Sequence, residues 1–356
     1  MRIVTLSMED ELELMELIDE EETDNGTEQK SGKEKKIEAI NDLPGVGPTT
    51  AKKLSENGYD SLMSVAAASV AQLTSIASLG EKTAQKMIET ARLALNLSFT
   101  SAEKILDQRH KLLRITTGSQ ALDELFRGGV ETNSLTEFYG EFRTGKTQLA
   151  HQMCVTIQLL REEGGLKEAG KKSEPVKAIY IDTEGTFRPE RIIAMAQRYP
   201  SLDPQEVLKN ILVGRCYNTD HQIALIDKVG KDSQSENIGL IIIDSLTSHF
   251  RAEYIGRGTL AERQQKLNQH IHAILRIAEV SNLAVVATNQ VHAKPDQFFG
   301  DPTAPVGGHV VAHAAQTRVM LRKSKGNRRI ARIADSPLLP ESEAVFTITE
   351  EGIFDP

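Results

Sequence analysis

The chain has no tryptophan, and aromatic residues of all kinds make up only 4% of its 356 residues. Its core must therefore be packed from aliphatic side chains, and the 39% apolar share is enough for that. Cysteine is almost as scarce. Cys154 and Cys216 are far apart and have neither C-x-x-C nor C-x-x-H spacing, which excludes a disulfide scaffold or a zinc site and fits a reducing cytosol. No apolar run approaches the ~20 residues a membrane helix needs, and Met1 to Asp10 lacks the apolar stretch of a secretory signal. The expectation is a cytoplasmic protein of two or three domains.

Positive charge is also short overall: the formal net charge is −8. The deficit is local. Glu9 to Glu28 holds eleven Asp/Glu and no Lys/Arg, so the rest of the chain carries +3, the −8 of the whole without those eleven charges. Residues 1–33 read as an acidic, disordered tail. A solvated extension is one reading of it, and a competitor with nucleic acid for a basic surface is the other.

What is abundant is glycine at meaningful places. Gly140-Glu141-Phe142-Arg143-Thr144-Gly145-Lys146-Thr147 fits the P-loop pattern G-x-x-x-x-G-K-[ST]. The glycines free the backbone to point N–H groups at phosphate oxygens. Lys146 supplies a charge for the β- and γ-phosphates, and Thr147 a hydroxyl for Mg²⁺ at the start of a helix. Leu135 to Tyr139 before it reads as a strand, and Gln148 to Leu160 after it as a helix. ATP with Mg²⁺ is the expected ligand.

Residues 34–96 read as a small all-helical domain. Leu43-Pro44-Gly45-Val46-Gly47-Pro48 before a helix at Thr49 to Asn57 resembles a helix–hairpin–helix turn. N–H groups exposed at Gly45 and Gly47 would grip a DNA phosphate without reading sequence. Leu79-Gly80 before Gln85 to Leu95 is a weaker echo. The plainer reading is a helical turn with ordinary capping glycines. Residues 97–114 are a linker plus helix. Phe99 in that polar stretch either packs locally or plugs into another subunit.

Residues 115–356 alternate apolar runs with helical ones, as parallel strands buried on both faces do. Ala178 to Ile181 ends in Asp182-Thr183-Glu184-Gly185, Ile238 to Ile243 in Asp244-Ser245, and Leu283 to Ala287 in Thr288-Asn289-Gln290. Ligands of open α/β sheets bind at strand carboxyl ends, so all three ends should face the P-loop. Asp244 has the Walker B position for Mg²⁺. Glu184 is the candidate for activating water, with Asp182 as runner-up, and Gln290 a candidate γ-phosphate sensor. Two Gly-rich segments follow strands. Phe250 to Leu260 contains Arg251, Tyr254 and Arg257, and Val291 to Val310 contains Phe298, Phe299, Gly307 and Gly308. Each is either a lid over a small ligand or a surface that tracks a nucleic-acid backbone and stacks on bases. Arg322 to Arg329 holds five cations in eight residues, as a solvated turn or as a further attraction for nucleic acid.

Taken in order, these motifs resemble the archaeal RadA family of DNA strand-exchange recombinases, relatives of RecA. The resemblance runs from about Lys35 to the C-terminus. It is carried by the Leu43 to Pro48 turn, Phe99-Thr100-Ser101-Ala102, the P-loop and Asp182-Thr183-Glu184-Gly185-Thr186-Phe187-Arg188-Pro189-Glu190-Arg191. It continues through Ile255-Gly256-Arg257-Gly258, Thr288-Asn289-Gln290-Val291, Phe298-Phe299-Gly300-Asp301-Pro302 and Asp335-Ser336-Pro337. It implies an α/β fold, a RecA-like P-loop ATPase core with a twisted, mostly parallel sheet preceded by the helix–hairpin–helix domain. It also implies an ATP-dependent filament on single-stranded DNA that pairs with double-stranded DNA. The chain would assemble with itself as a filament or a ring, and recombination mediator proteins would be further partners.

By the same resemblance, Gly140 to Gln148 would hold the nucleotide, with Glu184, Lys146 and Gln290 catalytic and Thr147 and Asp244 at the metal. Asp335 and Pro337 of one subunit would cap a neighbour's ATP, which His313 would also reach. Phe99 and Ala102 would link protomers. Arg251, Tyr254, Arg257, Phe298, Phe299, Gly307 and Gly308 would contact DNA. The chain departs from the archaeal pattern at Arg143-Thr144, where Gly-Ser is common, and in a longer Lys167 to Pro175 segment. An accessory paralogue that binds DNA without strand exchange and a helicase motor are the alternatives.

Overall fold

Pro48 fixes its own φ and lacks an N–H that the first helical turn would leave unpaired, so it starts the helix Pro48–Glu56 behind Gly47. Three more helices follow: Leu62–Ala66, Val70–Ala77 and Glu81–Ala94. Ser61 and Ser64 open the second by exchanging side-chain and backbone bonds of 3.1 and 3.2 Å. In the last, Ala84, Met87, Ile88 and Ala91 share one face and are buried with Leu43, Leu54, Val65 and Leu73. The two hairpin turns meet: a Cβ on Gly45 would lie 2.6 Å from Thr83 Cγ2. This computed structural model describes residues 37–356 except 78, 96, 98, 171–173, 234–235, 257 and 294–302. The acidic tail, Arg257, Phe298 and Phe299 lie outside the described residues.

The linker helix Ala102–His110 is capped by Ser101, whose Oγ accepts the Lys104 N–H, and none of its residues is buried. Two short strands, β1 (Arg114–Ile115) and β2 (Val130–Glu131), then pair antiparallel. The main strands are β3 (Ser134–Gly140), β4 (Lys177–Asp182), β5 (Ile211–Arg215), β6 (Ile238–Asp244) and β7 (Ala284–Asn289). After β7 come β8 (Val291–Ala293) and β9 (Thr303–Pro305), an antiparallel ribbon. The last four are β10 (Thr317–Lys323), β11 (Arg328–Asp335), β12 (Glu343–Thr349) and β13 (Gly352–Phe354). Nine strands form one sheet in the order β13-β12-β11-β10-β3-β7-β6-β4-β5. From β10 to β5 neighbours run parallel; from β10 to β13 they run antiparallel.

β3, β6 and β7 are buried along their whole length, which is why β6 and most of β7 read as nearly continuous apolar runs. Alternation divides each run between two cores. Leu240 and Ile242 join Phe138, Leu149 and Tyr180 on the face covered by the helix Lys146–Thr156. Ile241 and Ile243 join Leu135, Val285 and Leu267 beneath the long helix Leu260–Ser281. Burial of each such side chain stabilises by roughly 1.5–3 kcal/mol.

Several expectations change. The P-loop helix ends at Thr156, short of Leu160. Phe250 belongs to no loop: it lies on the helix Ser248–Glu253, 1% exposed. The Gly/Pro-rich segment after β7 begins as the β8–β9 ribbon and closes into the helix Gly308–Ala314.

His270, on Leu260–Ser281, is 2% exposed and tilts against Phe250 at 5.6 Å. Its Nε2 accepts from Gln222 Nε2 at 3.2 Å, whereas Nδ1 has no partner among the described residues. Burial lowers its pKa from 6.5 to about 4. The folded state thus binds fewer protons than the unfolded one between these values, so stability is intact above pH 6.5 and falls as pH drops toward 4. Over that interval the wild type should lose roughly 3 kcal/mol more than His270→Gln in chemical denaturation. Parallel losses would show that no buried neutral imidazole is involved.

Candidate nucleotide site at the strand ends

β3 delivers the chain to the P-loop, and the parallel register brings the other strand ends to the same level: Tyr139 faces Asn289, and Asp182 faces Asp244. Gly140 is required by close approach, since a Cβ there would meet Leu321 O of β10 at 2.2 Å. Gly145 has φ +106°, and a Cβ there would strike Ile348 at 2.7 Å. Arg143 also adopts a left-handed conformation, φ +63°. A non-glycine residue there costs about 1–2 kcal/mol, which gives the Arg-for-Gly departure a local energetic meaning. Thr144 folds the loop by donating to Glu141 O at 2.9 Å.

The loop and strand ends enclose a cavity of about 610 Å³ lined by residues 140–148, Glu184, Thr186, Asp244, Ser245, Thr288, Gln290, Val291, Arg329 and Ile348. Lys146 Nζ donates to Gly140 O and Glu141 O at 2.8 Å each. Burial lowers its pKa, against the pull of Asp244, Glu184 and Glu141. A desolvated ammonium held by two carbonyls is suited to accept an anionic phosphate in their place.

Asp244 is 3% exposed. Its Oδ2 accepts from Tyr180 Oη at 2.6 Å and Thr186 Oγ1 at 3.3 Å, and its Oδ1 from Thr288 Oγ1. Beside it, Ser245 Oγ is buried with no partner among the described residues. The carboxylate, the orphaned hydroxyl and the Thr147 side chain share the cavity, a donor set that fits a cation keeping much of its water. No group of three or more His, Cys, Asp or Glu converges among the described residues. One carboxylate plus hydroxyls, waters and phosphates is how Mg²⁺ is held at nucleotides, without a dedicated cage.

The two acidic candidates after β4 separate. Asp182 Oδ1 accepts N–H bonds from Glu184, Gly185 and Thr186 at 3.2, 2.7 and 3.1 Å, and Oδ2 from Phe187 at 3.3 Å. Arg215 Nη1 adds an ion pair at 3.3 Å. Asp182 shapes the loop and does not line the cavity. Glu184 is exposed at its mouth, where Oε1 accepts from Gln290 Nε2 at 2.8 Å.

The other expected site residues are spread around this cavity. Gln148 Oε1 accepts from Arg191 Nε at 2.6 Å. Arg251 is exposed on Ser248–Glu253, and Tyr254 Oη accepts from Lys266 at 2.8 Å. Gly307 and Gly308, both left-handed, start the helix that presents exposed His313 stacked on His309. Gly45 is left-handed and Gly47 caps a helix. Asp335 pairs with Arg318, at the opposite end of β10 from Leu321 and the P-loop, with Pro337 just beyond. Ala102 begins the exposed linker helix, and Phe99 is completely exposed, which removes the local-packing alternative.

Sequence reasoning placed the strand ends that hold Ser245 and Thr288 at the P-loop without giving either hydroxyl a role, and it gave none to Tyr180 or Thr186. It also read Arg329 as part of a charge run, whereas its guanidinium donates to Arg143 O at 3.2 Å inside the cavity.

The model of the Rad51 family matches residues 108–356, and that of a SAM-like helix-hairpin-helix tandem matches 37–93. The chain belongs to the Rad51 family. A DNA repair and recombination protein RadA from Aeropyrum pernix is 52% identical over 322 residues, covering 90% of this chain and 98% of that relative. The RadA of Ignicoccus hospitalis is 51% identical over 328 residues, covering 92% and 99%. The RecA-like α/β class expected from the sequence holds for this Rad51-family chain, with its helical unit ahead of a mostly parallel sheet.

Lys146→Ala should abolish measurable ATP binding. Glu184→Gln should bind ATP normally yet turn it over about 10²–10⁴-fold more slowly. Turnover preserved in Glu184→Gln would move the base elsewhere.

Proposed function

We propose that the protein is an ATP-dependent DNA recombinase that assembles on single-stranded DNA and pairs it with homologous duplex in recombination and repair. The observation that carries this reading is the Gln290–Glu184 hydrogen bond at the mouth of the P-loop cavity. Gln290 continues directly into β8, so a side chain that meets the nucleotide also begins the segment proposed to meet DNA. The names of the RadA relatives support the same role.

In this mechanism the P-loop amides and Lys146 bind the triphosphate. Thr147 and Asp244 would hold Mg²⁺, which when bound neutralises charge on the β- and γ-phosphates. Glu184 orients and deprotonates the attacking water, and Gln290, bonded to it, reports whether a γ-phosphate is there. Arg251, Tyr254, Arg257, Phe298, Phe299, Gly307 and Gly308 serve single-stranded DNA. The Gly45 and Gly47 turn serves duplex DNA, with the Arg322 to Arg329 turn as a further source of attraction.

Assembly has its own support. Phe99 is fully exposed, and Leu212 and Val213 are partly so, at 42% and 44%, on β5, the strand at the open parallel edge of the sheet. An apolar edge strand and an extended apolar plug are complementary surfaces for a second copy. Asp335, Pro337 and His313 complete a neighbour's site. No helix among the described residues is long and apolar enough to cross a membrane; the reading places the protein in the cytoplasm, on the nucleoid, where mediator proteins would load it.

Joint-molecule formation between homologous DNAs should require ATP and this protein, whereas a helicase would instead unwind a forked duplex and an accessory paralogue would do neither. Phe99→Glu should shorten assemblies on single-stranded DNA in electron micrographs and weaken pairing, with ATP binding by the monomer intact. Filaments of wild-type length would sink the linker assignment.

A further inference from the structure

The carboxamide of Asn289 is buried (0% exposed) and makes four hydrogen bonds, three to other segments and one to the next residue's N–H. Nδ2 donates to Glu137 Oε1 at 2.7 Å and to Val306 O at 2.6 Å. Oδ1 accepts from Thr247 Oγ1 at 2.8 Å and from the Gln290 N–H at 2.9 Å. A primary amide has two donors and two acceptor sites, so its capacity is filled. Thr247 is the residue before the helix that carries Arg251, and Val306 lies one residue before Gly307. Val306 N also donates to Gln290 O at 2.9 Å. The roots of both proposed DNA segments are thus tied to the backbone of the residue whose side chain meets Glu184.

The anchor of this cluster does not move easily. Glu137 is 0% exposed in the middle of β3, and its Oε2 accepts from Arg318 Nε at 2.7 Å across to β10. Breaking a buried, charged pair of this kind is costly. Asn289 therefore hangs from a rigid part of the sheet and holds two outer segments against it.

We infer that Asn289 is a positioning residue that couples the nucleotide sensed at Gln290 to both DNA-contacting segments through Thr247 and Val306. Its side chain does not line the P-loop cavity. The inference rests on the proposed DNA-dependent ATPase. What it adds is the route of coupling, through two discrete hydrogen bonds on the face of the sheet away from the P-loop helix.

The test compares wild type, Asn289→Asp, Glu137→Gln/Asn289→Asp and Thr247→Val for ATP turnover with and without single-stranded oligodeoxythymidylate, and for affinity to that strand in ATP and in ADP. Asn289→Asp sets a carboxylate against Glu137 and cannot donate to Val306. The double substitution restores the Glu137–Asn289 bond with donor and acceptor exchanged, at the same total charge. Asn289→Asp should keep DNA-free turnover and lose DNA stimulation by at least about fivefold, together with the ATP-over-ADP preference in DNA affinity. The double substitution should recover part of both. Thr247→Val, which keeps shape and loses only the hydroxyl, should lower stimulation with basal turnover unchanged, and it provides the answer should Asn289→Asp fail to fold.

Stimulation at the wild-type level in Thr247→Val or Asn289→Asp overturns the inference, as does a double substitution no better than Asn289→Asp. Wild-type turnover that ignores DNA overturns the proposed function as well. Stimulated wild-type turnover with unaffected variants overturns this inference alone.

Discussion

The register of β7 against β3 and β6 is the constraint on which the site depends. Successive side chains of a strand point to opposite faces, so Thr288 and Gln290 leave β7 on one side and Asn289 on the other. Thr288 donates to Asp244, and Gln290 donates to Glu184. Asn289 faces Glu137, Thr247 and Val306. A slip of one residue would exchange these roles. The slip is prevented by the residues just before the site, Val285 and Ala287 in one core and Val286 in the other. Aliphatic packing that is itself silent in function thus fixes which polar groups line the P-loop cavity.

Much of this was legible in the sequence because its causes are local. A P-loop is a contiguous pattern, and strands buried on both faces leave apolar runs that end in the residues of interest, as at Asp244 and Gln290. What was not legible depends on partners distant in the chain. Glu137 looks like a polar interruption of a short strand until Arg318 is seen beside it, 181 residues later. Arg329 looks like one more exposed cation until the antiparallel turn from β10 to β11 returns it to the P-loop. β5 was missed because one side of it has no neighbouring strand. Leu212 and Val213 are exposed there, and the run carries neither the continuous nor the alternating signature of burial. Asp182 and Glu184 could be ranked but not separated by spacing. The structure separates them by counting acceptors, since Asp182 is already saturated by four backbone N–H groups.

The placement of the remaining candidates argues for how copies associate. Within one chain, the P-loop adjoins Leu321 of β10, whereas Asp335 pairs with Arg318 toward the other end of that strand and does not line the P-loop cavity. The linker, with Phe99 exposed, and the β5 edge, with Leu212 and Val213 exposed, likewise offer unlike surfaces. A two-fold dimer buries the same patch twice. Unlike surfaces at different places on one molecule instead generate head-to-tail contacts, which close into rings or continue as helical filaments. If ATP binds at such a joint, each nucleotide contacts a P-loop from one chain and the Asp335 region of the next, and the energy of nucleotide binding becomes energy of assembly. Conversely, on the same reading hydrolysis would remove the γ-phosphate from the joint and from Gln290 at once. Subunit contact and DNA grip would then weaken together, so turnover on this reading resets the assembly and is not required to move it along DNA.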